Sequence, residues 1–135
     1  MSRRAFVPEI ESIHLIQKFV KEKLSGTAAS KKHLLNIDLV IEEIVVNIVK
    51  YGLKDRDDPI IEVEVNSNKK MLHLIFIDNG VGFNPLGKED PDTGESAIEK
   101  RGIGGLGIFL IKQFSKDIKY SRKDNFNRLS LKISI

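Results

Sequence analysis

A two-layer α+β sandwich, a mixed but mostly antiparallel sheet covered on one face by helices, is the fold class predicted by three observations. Apolar residues recur at three- and four-residue steps over 9–24 and again over 30–51, which is helical spacing. Residues 61–65 and 129–135 instead alternate apolar and polar, which marks strands with one wet face. The run 71–77 is more continuously apolar, as a central strand requires.

Each element follows in order. Ala5-Phe6-Val7, ended by Pro8, reads as an edge strand, where a missing N–H costs nothing. The first helix places Ile10, Ile13, Ile16, Val20 and Leu24 on one face and stops at Ser25-Gly26-Thr27. Ser30 is a candidate N-cap for a second helix that runs to Tyr51, with Gly52 as terminator. A charged turn over 54–59 leads to the alternating strand at Ile61, Val63 and Val65. Asn66-Ser67-Asn68-Lys69-Lys70 supplies a hairpin turn, and the strand 71–77 delivers Asp78 at its end. Ile108, Phe109, Leu110, Ile111 and Phe114 form a third helix. A short strand over 118–122, a turn at Lys123-Asp124-Asn125 and a last strand with Leu129, Leu131, Ile133 and Ile135 inward complete the sheet.

The most informative stretch is 78–107. Asp78-Asn79-Gly80-Val81-Gly82-Phe83 opens it, Gly102-Ile103-Gly104-Gly105-Leu106-Gly107 closes it, and a charged segment containing Pro85, Gly87, Pro91 and Gly94 lies between. Glycine weakens regular structure, so two such clusters point to tight turns or to a ligand that approaches the backbone closely. A glycine run that leads into a helix offers free N–H groups and the positive end of the helix dipole to a phosphate. The segment 84–101 is then a lid between two hinges, expected to be poorly ordered without ligand. On the second helix, spacing of four sets Glu43, Asn47 and Tyr51 in one column amid Val45, Val46, Ile48 and Val49. A carboxylate and an amide in such apolar surroundings are costly unless they line a cleft or bind something.

With 135 residues the chain is expected to form a single domain over 1–135. Its 22 Lys and Arg against 19 Asp and Glu give a net charge of +3, scattered rather than gathered in a tract, so nucleic acid is not an expected partner. No cysteine is present, which excludes disulfides, thiolate metal sites and thiol nucleophiles. No apolar run approaches a membrane span, and no signal core follows Met1-Ser2-Arg3-Arg4, so a cytoplasmic location and no membrane partner are expected. His14, His33 and His73 lack metal-ligand spacing and read as structural or surface residues.

Glu43-x-x-x-Asn47, Asp78-x-Gly80-x-Gly82 and the run Gly102 to Gly107 together resemble, in order and spacing, the asparagine box and the two glycine boxes of the Bergerat or histidine kinase-like ATPase fold, shared by gyrase, MutL and histidine kinases. Within it the chain is most similar to the small serine/threonine kinases that act as anti-sigma factors in bacterial partner-switching systems. The resemblance implies ATP and Mg²⁺ as cofactors. It makes Asp78 the acceptor of the adenine amino group, Gly80 and Gly82 the turn beneath the base, Asn47 the metal ligand and Glu43 the catalytic base. It also implies that Gly102, Gly104, Gly105, Leu106 and Gly107 meet the phosphates and that Arg101 adds charge near the γ-phosphate. Tyr51 stands where relatives often carry histidine. Ser130 stands where many have threonine in the last strand and is carried over as a nucleotide contact.

The function implied is phosphorylation of an anti-sigma factor antagonist, with a sigma factor as a second partner and a homodimer as the assembly. The alternative keeps the fold without catalysis: an ATP-binding regulatory module that sequesters a protein partner. Glu43 discriminates between the two, because only phosphotransfer needs a carboxylate at the reacting hydroxyl.

Overall fold

The computed structural model describes residues 1–27, 29–82 and 107–135. Five strands form one open sheet in the order β1-β2-β3-β5-β4, with β1 at Ser2–Phe6, β2 at Ile61–Ser67, β3 at Met71–Asp78, β4 at Lys116–Lys123 and β5 at Phe126–Ser134. All four ladders are antiparallel, so among the described residues the sheet is not mixed. The helices are α1 at Ile13–Glu22, α2 at Lys31–Asn47 and α3 at Gly107–Phe114. The predicted α+β class is the class observed.

Period-two alternation decides which face the helices cover. Ile61, Val63, Val65, Leu72, Leu74, Phe76, Leu129, Leu131 and Ile133 join one buried cluster with Ile16, Val20, Ile37, Val40, Ile41 and Ile44 of the helices. α2 packs against both α1 and α3 and is the central rib of the helical layer. Phe6 and Phe19 meet edge to face at 5.6 Å, which locks β1 to α1.

The other sheet face carries no helix among the described residues. Ile75 and Ile77 on that face are still buried; in register they stand between Glu64 and Ser130 and between Glu62 and Arg128, and the glutamate and arginine stems can cover apolar surface. Arg3 Nη1 donates to Glu64 Oε1 at 3.1 Å, and Arg3 also pairs with Glu62, which ties the edge strand to its neighbour.

Element ends depart from the sequence expectation for local reasons. The first helix opens with a 3₁₀ turn at Ile10–Ser12, where the Ser12 hydroxyl donates to the Val7 carbonyl at 2.7 Å. Ser30 caps α2 as expected, its Oγ accepting from the His33 N–H at 3.2 Å. β4 begins two residues earlier than expected and bends at Asp117, which has φ 51° and lies between the Lys116 and Lys119 pairs. The β4–β5 link is a two-residue turn with Asp124 at φ 53° and Asn125 at φ 68°, the left-handed pair that matches the twist of a hairpin.

Candidate functional site

The end of α2 is where helical geometry changes. The α-helix stops at Asn47 and continues as a π turn over Ile48–Gly52, in which the Leu53 N–H reaches back five residues to the Ile48 carbonyl at 2.8 Å. The predicted helix to Tyr51 is therefore two pieces. This wider turn leaves the Gly52 carbonyl able to accept the Val81 N–H at 2.9 Å, so the helix end and the turn after β3 are joined backbone to backbone.

That contact explains one of the glycines. A Cβ on Gly80 would stand 2.3 Å from the Gly52 oxygen, closer than any side chain tolerates. β3 delivers Asp78 to the same place. Its Oδ1 accepts from the Gly80 N–H at 2.8 Å and from Asn127 Nδ2 at 3.0 Å. Asn79 turns the opposite way and pins the loop before β2: Oδ1 accepts from the Ile60 N–H at 2.8 Å and Nδ2 donates to the Asp58 carbonyl at 2.6 Å.

A cleft opens between α2, α3 and the sheet. Ile44, Ile48, Val81, Ile111 and Leu129 give it apolar walls, and Asn47, Asp78, Tyr120 and Asn127 supply its polar groups. An apolar slot with a few convergent polar side chains is the form of a small-molecule site. Asn47 and Asp78 are only 7% and 6% exposed, and no hydrogen bond joins the Asn47 side chain to another described residue. These are the buried polar groups that the column on α2 and the acid at the strand end led one to expect.

Burial pushes the Asp78 carboxyl above the usual aspartate range, while the Asn127 and Gly80 hydrogen bonds and the charge of Arg122 oppose that rise. Burial also raises the Glu43 carboxyl, and the neighbouring Glu42 adds to the effect. Among the described residues, no group of three His, Cys, Asp or Glu could hold a metal ion.

The predicted residues are distributed as follows. Asn47, Asp78 and Gly80 come together at the cleft. Glu43 is half-buried one turn earlier on α2 and is not among the lining residues, while Tyr51 is 38% exposed, so the column splits. Gly82 lies against the Arg122 stem, a Cβ there being 3.2 Å from its Cδ. Gly107 is the first residue of α3. Arg101, Gly102, Gly104, Gly105, Leu106 and the lid segment 84–101 fall in 83–106, outside the described residues.

Ser130 is not brought to the cleft. It lies on the open sheet face, where its Oγ is 2.9 Å from His73 Nε2. The residue of β5 that reaches Asp78 is Asn127. The period-two pattern already separated the two: Asn127 shares a face with Leu129 and Leu131, whereas Ser130 shares one with Arg128 and Lys132. Sequence reasoning also missed Tyr120 and Arg122, whose contacts with Asn127 cross a hairpin.

Residues 6–133 match the model of the histidine kinase-like ATPase domain. The serine-protein kinase RsbW of Listeria monocytogenes serotype 4a is 33% identical over 104 residues, which cover 71% of this chain and 66% of that protein. The serine/threonine-protein kinase BtrW of Bordetella bronchiseptica is 25% identical over 95 residues, covering 70% of this chain and 66% of its own. The chain thus spans just under two thirds of the length of these relatives. The histidine kinase domain of the Erythrobacter litoralis EL346 blue-light activated histidine kinase superposes over 92% of this chain and 59% of its own with a TM-score of 0.56, and its 14% identity speaks to the fold alone. With the family match spanning nearly the whole sequence, and the antiparallel sheet and one-sided helices agreeing with it, the chain belongs to the histidine kinase-like ATPase domain family.

Proposed function

We propose that this chain is a cytoplasmic, ATP-dependent protein serine/threonine kinase of a partner-switching system, acting on an anti-sigma factor antagonist and binding a sigma factor through another face. The observation that carries the nucleotide part is Asp78, a buried carboxylate that lines an apolar cleft together with Asn47. A flat base suits apolar walls, and a fixed carboxylate oxygen accepts from an amino group but not from a keto group, which favours adenine over guanine. The names of the relatives carry the kinase part.

Asn47, through its amide oxygen, would hold Mg²⁺ together with the phosphates; the ion supplies neutralising charge to the phosphoryl group. Glu43 would take the proton of the attacking serine hydroxyl, and its raised pKa makes it a better acceptor. As the serine oxygen bonds to the γ-phosphorus, the bond from that phosphorus to the bridging oxygen breaks, and its electron pair leaves with ADP. Gly80 and Gly82 would shape the floor under the base. Arg101 and the run Gly102 to Gly107 would meet the phosphates, with the helix that starts at Gly107 aiming its N-terminus at them.

One observation favours the non-catalytic alternative, an ATP-binding module that sequesters a partner: Glu43 is not among the described residues that line the cleft. Calorimetry with ATP, ADP and GTP, with and without Mg²⁺, followed by transfer of labelled γ-phosphate to a small antagonist protein, tests both. The kinase reading expects ATP-selective binding that is lost in Asp78→Asn, Mg²⁺ dependence that is lost in Asn47→Ala, and a Glu43→Gln variant that binds ATP without transferring phosphate. Unchanged transfer by Glu43→Gln would remove Glu43 from the chemistry. No transfer by the natural protein, with ATP still bound, would favour the module.

A further inference from the structure

We propose that Arg122 is a positioning residue of the cleft: its guanidinium straps Asn127 to the turn after β3 and thereby fixes which oxygen of Asp78 a purine meets. The inference rests on the nucleotide reading above and extends it to the basis of purine selectivity. Arg122 lies opposite Asn127 in the β4–β5 ladder. Its Nη1 donates both to the Gly80 carbonyl and to Asn127 Oδ1, each at 2.9 Å. Its stem passes over Gly82, where a Cβ would be 3.2 Å from Cδ, so glycine at 82 is what lets the strap lie flat.

The consequence runs through one amide. Asn127 Oδ1 accepts from Arg122 and also from the Tyr120 hydroxyl. The guanidinium N–H on that oxygen opposes the flipped amide, which would meet it with an NH₂ and would turn Oδ1 against the Asp78, Gly80 and Val81 oxygens. Nδ2 must then face the other way, where it reaches Asp78 Oδ1 at 3.0 Å and the Val81 carbonyl at 2.9 Å. The Gly80 N–H falls on the same Oδ1 at 2.8 Å. Both hydrogen bonds that Asp78 accepts from described residues thus end on Oδ1, and Oδ2 is the oxygen left to read a ligand donor. Without the strap, only the Nδ2 bonds to Asp78 Oδ1 and to the Gly80 and Val81 carbonyls hold Asn127 to the turn, and the fix on Oδ1 loosens.

Arg122 is exposed, so replacing it need not disturb the core. The test compares affinities for ATP and for purine riboside triphosphate, which lacks the 6-amino group, in the natural protein, Arg122→Ala and Arg122→Lys, with a melting scan of each. The natural protein is expected to prefer ATP by roughly tenfold or more, the effect of one hydrogen bond to a charged acceptor. In Arg122→Ala that ratio falls toward one because ATP binding weakens while analogue binding does not; Arg122→Lys, which keeps charge and donors, recovers part of it. A merely structural role would lower both affinities, or the melting temperature, with the ratio intact. An unchanged ratio in Arg122→Ala overturns the inference while leaving the nucleotide reading standing, whereas a natural protein that binds neither triphosphate overturns both. Should Arg122→Ala fail to fold, Arg122→Gln carries the same ratio test.

Discussion

Two glycines four residues or fewer from Asp78 do different jobs, and the difference is measurable. A methyl group at Gly80 meets backbone, the Gly52 carbonyl oxygen at 2.3 Å, which cannot move without parting the helix end from the turn. At Gly82 the obstacle is the Arg122 stem, at 3.2 Å, a flexible side chain that needs to give by only a few tenths of an ångström. Gly80→Ala is therefore expected to cost about 1–3 kcal/mol, the usual range for overpacking, and Gly82→Ala well below that. Urea denaturation of the two variants checks the order. Equal costs would mean that the Gly52 contact is not what constrains position 80. The sequence shows both glycines in one motif and offers no way to tell them apart, because the atoms that restrict them come from Gly52 and Arg122, 28 and 40 residues away.

At the scale of elements, the β4–β5 hairpin is what brings Arg122 and Asn127 face to face, and its turn is the lever on both. Asp124 and Asn125 adopt φ values of 53° and 68°, where glycine meets no steric penalty and asparagine a small one. Asn125→Gly is expected to stabilise the protein by about 0.5–1 kcal/mol, read as a higher urea midpoint at unchanged slope. A lower midpoint would show that the entropy glycine adds to the unfolded chain outweighs the relief. Elements of this kind were legible in advance: the alternation in β2 and β5, the cap at Ser30 and the Asp-Asn turn are local chemistry. The π turn after Asn47 was not, since the bond that goes with it, from the Val81 N–H to the Gly52 carbonyl, joins residues far apart in sequence, and neither was the choice of Asn127 over Ser130, where resemblance pointed to one face and alternation to the other.

For the molecule as a whole, the site is assembled at the expense of stability, and Asp78 shows how. Burial raises its folded pKa above the unfolded value, the Asn127 and Gly80 bonds offsetting only part of this. A carboxyl whose pKa rises on folding contributes stability while it is protonated. That contribution is fully present below the unfolded aspartate range and is lost as pH rises through the raised folded value. At neutral pH the buried charge is thus a cost that a ligand donor would relieve. The neutral amide introduced by Asp78→Asn can keep its oxygen as the acceptor for Gly80 and Asn127 with no charge to bury. Asp78→Asn is accordingly expected to melt higher than the natural protein at pH 7, with the gap closing as pH falls through the carboxylate range. Adding ATP with Mg²⁺ at about 100 times its Kd should raise the stability of the natural protein by about 2.7 kcal/mol and do little for the variant. The crossing of these two effects, a more stable apo variant that ligand no longer stabilises, is the signature of a carboxylate kept for binding. A variant that melts lower at every pH would instead make Asp78 a structural anchor of the Gly80 turn.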